Sequence, residues 1–455
     1  MTLMVRDKRL YRSFFSMTAV IALQNLITFA VNLADNVMIG RFSQDALSGV
    51  AMVNQIQFLL QMIIGGIGNA IVVLGAQYWG KNQMEPIKKV SAIGMRLGLL
   101  TGLVMNIAVF AFPAPILSLL TNEPAVIAEG VKYMKIVCFS FLFFSLTNVT
   151  LAALRSVGEV RIGFVSTLVA LVLNVALNYG LIYGNWGLPR LGVEGAAIAT
   201  LISRVAESAV TTVYALCIEK QIHLKISDLF HTDRQMRRDY LKSGLPLIAS
   251  SAIWGIAMAV QSAILGRLGS DTIAANSIAT TLFQVISVVL YASANAAGVV
   301  IGKAVGEGDH SLVRSYARTL QILFLLIGLA SGGLFLLCRD LILILYVITP
   351  ETHEIASQFI NILSVTCIGS SYQVSCLSGI VTGGGDTRFV LWNDLFFQWL
   401  IVIPSALLSA FVFRWPLWVT FLCLKSDQIL KCIPACIKVN RFRWIHTLTR
   451  EEQKA

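Results

Sequence analysis

The chain has 455 residues, 56% of them hydrophobic and only 13% charged, against about 25% charged in a typical soluble domain. That balance excludes a soluble globular enzyme and reads as an integral membrane protein. The net charge of +11 could suggest a nucleic-acid partner, but the placement of the cations argues for topology instead.

Basic residues cluster before the first apolar run (Arg6, Lys8, Arg9, Arg12), in the hydrophilic stretch 219–242 and after Cys436. The alternate connectors carry single cations: Arg41, Arg190, Arg267, Arg339 and Arg414. By the positive-inside rule both termini are expected in the cytoplasm, and the plasma membrane is the expected location. The first apolar run is too long for the core of a cleavable signal and is expected to stay as a span. The eight cysteines are scattered, mostly in apolar runs, and read as small packing residues without disulfides.

Apolar runs predict about twelve helices, over 14–40, 46–76, 90–112, 127–153, 162–183, 193–218, 243–266, 272–302, 315–337, 354–382, 388–413 and 415–436. The last is interrupted by Lys425, Asp427 and Lys431, so part of it is expected at the membrane interface. The tail from Asn440 onward reads as a short basic segment against anionic headgroups, with residues 446–455 dispensable for transport.

Within the first run, Asn25, Thr28, Asn32 and Asp35 fall on about a quarter of the helix circumference. A carboxylate within a span costs about 2.5–3.5 kcal/mol on insertion scales, so it needs a partner, a cavity or a proton. Asp35 could instead snorkel to the outer headgroups. Helix 2 carries a second polar stripe, Asn54, Gln57 and Gln61.

The chain repeats itself. Gly40-Arg41-Phe42-Ser43-Gln44-Asp45 resembles Gly266-Arg267-Leu268-Gly269-Ser270-Asp271, and Gly80 falls on Gly306 at the same spacing of about 226 residues. Gly158-Glu159-Val160-Arg161 likewise resembles Gly385-Asp386-Thr387-Arg388. Six helices per copy give both the same orientation. The expected fold is therefore all-α, with two parallel six-helix bundles related by a pseudo-two-fold axis along the membrane normal. The expected parts are a bundle over 1–218, a cytoplasmic linker over 219–242, and a second bundle with the basic tail over 243–455. The glycine-rich stretches Gly65-Gly66 and Gly383-Gly384-Gly385 lack a Walker context and read as close packing and a turn. No enzymatic activity is expected.

Topology also sets depth. Asp35 lies about 9 Å from the outer end of helix 1. Asn178 on helix 5 is equally deep, Asn174 stands one turn below it on the same face, and Thr200 on helix 6 returns to that level. These are hard oxygen donors, suited to Na⁺ or to a titrating carboxyl group; interhelical hydrogen bonds would use the same residues. Burial and hydrogen-bond donors push the pKa of such a carboxyl in opposite directions, which leaves H⁺ and Na⁺ both open.

At these residues the sequence resembles the multidrug and toxic compound extrusion (MATE) family over nearly its whole length. The resemblance rests on Asp35-x4-Gly40, Gly75-Ala76-Gln77-x2-Gly80, Asn174-x3-Asn178, Gly195-Ala196-Ala197-x-Ala199-Thr200 and the duplicated halves. It implies a secondary-active antiporter that exports organic, often cationic, compounds in exchange for H⁺ or Na⁺, with no other cofactor. It also implies that Asp35, Asn174, Asn178 and Thr200 form the cation site. Branches with a second acidic site carry carboxylates where this chain has Trp254 and Ser371, so all coupling is expected at Asp35.

Candidate substrate contacts are Asn32, Asn54, Gln57, Gln61, Trp254, Gln284 and Gln373, each equally open to a structural hydrogen bond or packing role. Asp394 reads as a structural or inner-gate residue, and Arg204 with Glu207 as a local ion pair without a transport role. The expected partners are a small-molecule substrate and membrane lipids, not nucleic acid, and a monomer is expected. The competing function is a lipid-linked oligosaccharide flippase, which would need cavity cations for a diphosphate; only Arg96 and Arg204 stand mid-helix. A receptor or structural membrane protein is disfavoured for want of a sizeable extramembrane region.

Overall fold

The computed structural model describes residues 4–229, 233–344, 346 and 348–450, and all regular elements among them are helices. In chain order the long ones are α1 (Lys8–Phe42), α2 (Gln44–Gly80), α3 (Met84–Ala111) and α4, a pair, Pro124–Val137 and Ser140–Ser156, bent by 55°. They continue as α5 (Arg161–Tyr183), α6 (Val193–Ile218), α7 (Arg234–Gly266), α8 (Ser270–Glu307), α9 (His310–Ile344), α10 (Pro350–Val381) and α11 (Thr387–Val412). Among the described residues, ten helices are long and apolar enough to cross a membrane, or eleven if α4 is one span.

The twelfth predicted helix is not a single rod. α12 consists of three pieces, Leu417–Leu424, Asp427–Leu430 and Cys432–Arg441. The charges that suggested an interfacial position are turned inward instead: Asp427 is 8% and Lys431 3% exposed. The predicted linker is also shorter, because α7 already begins at Arg234. Among the described residues before it, Glu219 accepts the backbone N–H groups of Gln221, Ile222 and His223, and Lys89 pairs with Asp233 at 3.1 Å.

The chain divides into two compact units. The N-terminal unit comprises Leu23–Gly75 and Gln83–Gly244; the C-terminal unit comprises Met1–Ala22, Ala76–Asn82 and Leu245–Ala455. The sequence placed 1–218 in one bundle, whereas packing puts the start of α1 and the end of α2 with the C-terminal unit. At the start of α1, Val5 N–H donates to Thr319 Oγ1 at 3.1 Å, and Tyr316 Oη donates to Asp7 Oδ2 at 2.6 Å. At the end of α2 the two repeats meet reciprocally. A Cβ on Gly80 would stand 2.1 Å from the Lys303 carbonyl oxygen, and one on Gly306 would stand 1.9 Å from that of Gln77. Only glycine allows both backbones that close. The chain passes from one unit to the other within α7 at Gly244–Leu245, beside Pro246, where proline removes a helical hydrogen bond.

Lipid tails are as apolar as leucine, so helices in a membrane are held by close packing of small residues. The Ala-Ser-Ala-Asn-Ala-Ala-Gly run 292–298 of α8 does this against α10: a Cβ on Gly379 would stand 2.8 Å from the Ala294 carbonyl, and one on Gly383 would stand 2.7 Å from that of Gly298. Elsewhere in the unit Phe359 and Phe421 stack at 3.9 Å.

The tail expected against headgroups is docked into the C-terminal unit as far as Arg450. Trp444 is fully buried against Gly384. Gln77 Nε2 donates to the carbonyls of Gly383 and His446, and Leu448 N–H donates back to Gln77 Oε1 at 2.8 Å. The expectation failed because composition shows the cations of a tail but not the apolar ring that anchors it. Residues 451–455 lie outside the described residues.

Candidate functional site

In the N-terminal unit, Asp35 faces α5 and α6. Gly195 sets the distance between those two helices, since a Cβ there would stand 2.5 Å from the Leu181 carbonyl oxygen. Asn174 and Asn178, one turn apart, are 1% and 0% exposed. Asn178 Nδ2 donates a short hydrogen bond to Asp35 Oδ1 and a second, of 3.2 Å, to Asn174 Oδ1. Its donors are thereby spent, and its own Oδ1 is buried without a partner, as is Thr200 Oγ1. An unmet buried acceptor typically costs about 1–3 kcal/mol. One carboxylate and two unmet oxygens form a donor set that suits a small hard cation.

A cavity of about 30 Å³ opens beside them, lined by Asp35, Asn174, Thr200, Asn32, Asn54 and Gln57, with Thr28, Tyr133, Thr167, Ser203 and Arg204 among the rest of its wall. A water needs roughly 10–15 Å³ measured in this way, so there is room for an ion with a water and not for an organic compound. Asn178 stands behind the wall and acts on it through Asp35. The sequence missed Tyr133 and Thr167, which carry no local signal. It found Arg204 but gave it no role: Arg204 does pair with Glu207, at 2.7 Å, with Thr167 Oγ1 donating to Glu207 at 3.1 Å, yet the pair stands in this same wall.

The family model MatE matches residues 21–180 and 246–408. The chain belongs to the MATE family. It is similar to the probable multidrug resistance protein NorM of Rhizobium meliloti, 28% identical over 86% of this chain and 84% of that one. It is 22% identical to the protein of the same description from Thermotoga maritima, over 95% and 93% of the two chains. Its fold matches a crystal structure of a variant of the MATE transporter VcmN of Vibrio cholerae with a TM-score of 0.87 at 17% identity, covering 97% and 98% of the chains. The protein is thus a multi-pass membrane transporter of the multidrug efflux class and not an enzyme.

The remaining predicted residues of this MATE chain are scattered. Trp254 and Gln373 line a second cavity, of about 160 Å³, wholly within the C-terminal unit. Gln61 and Gln284 are exposed and line neither cavity. Ser371 donates to the Phe324 carbonyl at 2.7 Å, a packing bond. Asp394 is held in a charged cluster: its Oδ2 accepts Ser250 Oγ at 2.5 Å and its Oδ1 accepts Lys431 Nζ at 2.9 Å. Lys431 also lies 3.5 Å from Asp427, which accepts Gln398 Nε2 at 2.8 Å. The sequence named none of Gln261, Gln398 and Lys431 as site residues; Gln261 and Gln398 are joined by a 3.2 Å hydrogen bond.

Proposed function

We propose that this MATE transporter is a secondary-active antiporter of the plasma membrane, with both termini cytoplasmic. It exports organic, cationic or lipophilic compounds in exchange for H⁺ or Na⁺ through alternating access. Asp35, with Asn174, Asn178 and Thr200, is the coupling site. The observation that carries this reading is a membrane-embedded carboxylate beside two unmet oxygens, in a cavity with room for an ion and a water. A ligand shifts a two-state equilibrium only by its differential affinity for the two states. Neutralising Asp35, by a proton or by Na⁺, changes the charge in that wall and supplies such a differential. The ion is written here as a co-substrate; no other cofactor enters, and a monomer suffices.

The diphosphate reading needs several unmatched cavity cations, and the C-terminal cavity leaves one, Lys425, without an ion pair among the described residues. Arg204 is matched by Glu207, and Lys431 by two carboxylates. The multidrug descriptions of the relatives favour xenobiotic export.

The test is efflux of a cationic dye from proteoliposomes with a Na⁺ gradient and a pH gradient imposed separately. Efflux driven by at least one gradient in the wild type, and by neither in Asp35→Asn, is expected. Undiminished gradient-driven efflux in Asp35→Asn would overturn the assignment.

A further inference from the structure

We propose that the cavity of the C-terminal unit is an anion-accepting subsite, in which Lys425 receives the carboxylate or sulfonate of an aromatic group. Lys425 stands where α12 breaks, between Leu417–Leu424 and Asp427–Leu430, and forms part of the cavity wall with Asp427 and Gln428. Ionisable groups within membrane spans are rare and belong by default to function or to an ion pair.

The other charges of this neighbourhood are accounted for. Lys431 is answered by Asp394 at 2.9 Å and Asp427 at 3.5 Å, and each carboxylate also takes an uncharged donor, Ser250 or Gln398. Lys425 forms no ion pair among the described residues; its Nζ lies 5.7 Å from the centre of the Phe421 ring. The neighbourhood is neutral as a whole; Asp427, in the same wall, attracts Lys425 without closing an ion pair with it, so the ammonium remains open to the cavity.

Size and lining name the rest of the ligand. About 160 Å³ is close to the roughly 150 Å³ of an engineered apolar cavity that binds benzene, so one aromatic ring fits. Trp254, Phe283 and Tyr291 stand in the wall to pack against it. Gln428 Oε1, buried without a partner, is left to accept a donor from the same molecule.

Two dyes that differ in one group test this. Rhodamine 110 carries a free carboxylate on its single pendant ring, the part that the cavity admits while the fused xanthene stays at its mouth; rhodamine 123 is its methyl ester. Equilibrium binding of each to the full-length protein in nanodiscs is followed by fluorescence polarisation. Losing a charge-assisted hydrogen bond, Lys425→Met should weaken rhodamine 110 by about tenfold and leave rhodamine 123 within about twofold. Lys425→Arg should keep both dyes near wild type, and Lys425→Gln takes the place of the methionine variant if that one does not fold. Equal weakening of both dyes, or of neither, overturns the proposal and leaves Lys425 as a cap on the end of its half-helix. Because the readout is binding and not gradient-driven efflux, it stands or falls apart from the role of Asp35.

Discussion

The cavity beside Asp35 and the cavity beside Lys425 belong to different units of one chain, and they handle buried charge in different ways. In the N-terminal unit the carboxylate accepts the Asn178 amide, forms no salt bridge among the described residues, and has unmet oxygens around it. In the C-terminal unit the carboxylates are closed off by Lys431, a cation supplied by the chain itself. The first arrangement can exchange a proton or an ion with water; the second cannot without breaking a buried pair. Volume divides them in the same sense, about 30 Å³ against about 160 Å³.

The same Asp-to-Asn change should therefore do different things in the two units. Asp35→Asn should lower gradient-driven efflux by about two orders of magnitude or more with little change in Tm, since no ion pair is lost. Asp394→Asn should cost stability, about 3 kcal/mol and several degrees in Tm, by leaving Lys431 short of a partner. Thermal unfolding in detergent beside vesicle efflux measures both. If Asp394→Asn left Tm unchanged but abolished efflux, the contrast between the units would collapse.

A double-mutant cycle sharpens the point. Lys431→Met alone should destabilise, and Lys431→Met with Asp394→Asn should recover part of the loss, with a coupling of about 1–3 kcal/mol by Tm and denaturant titration. Additive losses would mean that the 2.9 Å contact carries no net interaction.

Of similar size is the effect of removing residues 446–455. Four hydrogen bonds, at Gln77, Tyr78 and Gly384, are lost, for about 1–3 kcal/mol in all. Hydrogen exchange should quicken at 76–82 and 383–386 in the C-terminal unit and stay unchanged around Asp35. Unchanged exchange at Gln77 would show that the docked tail is not held in solution.

The smallest effect concerns Asp7, whose pKa is held below the usual carboxylate value chiefly by the Tyr316 hydroxyl, then by the Arg9 N–H. A lowered folded-state pKa contributes stability above the unfolded value of about 3.9 and loses it as pH falls through the folded value. Asp7→Asn should lower Tm by only about 1 °C at pH 7, because the half-buried site is screened by solvent, and by less toward pH 3, where the carboxylate is being protonated. An equal shift at both pH values would assign the effect to something other than the carboxylate.

Much of this protein was legible without coordinates. Apolar run length predicted the spans because a bilayer has a fixed thickness, and the repeat predicted Gly80 and Gly306 as counterparts. Helical periodicity put Asn174 and Asn178 on one face, and common depth put them level with Asp35; the coordinates then bring the three into one hydrogen-bonded group. What remained hidden depends on which way a helix turns against its neighbours. Depth cannot tell that Gln61 and Gln284 face outward or that Tyr133 faces the ion-sized cavity. Nor can hydropathy tell whether Lys425, Asp427 and Lys431 interrupt a span at the headgroups or fold inward, with Asp427 and Lys431 paired and Lys425 on a cavity wall. Length and periodicity are properties of one helix and are written in its residues; partners of a buried charge are properties of several helices at once, and only their packing decided them.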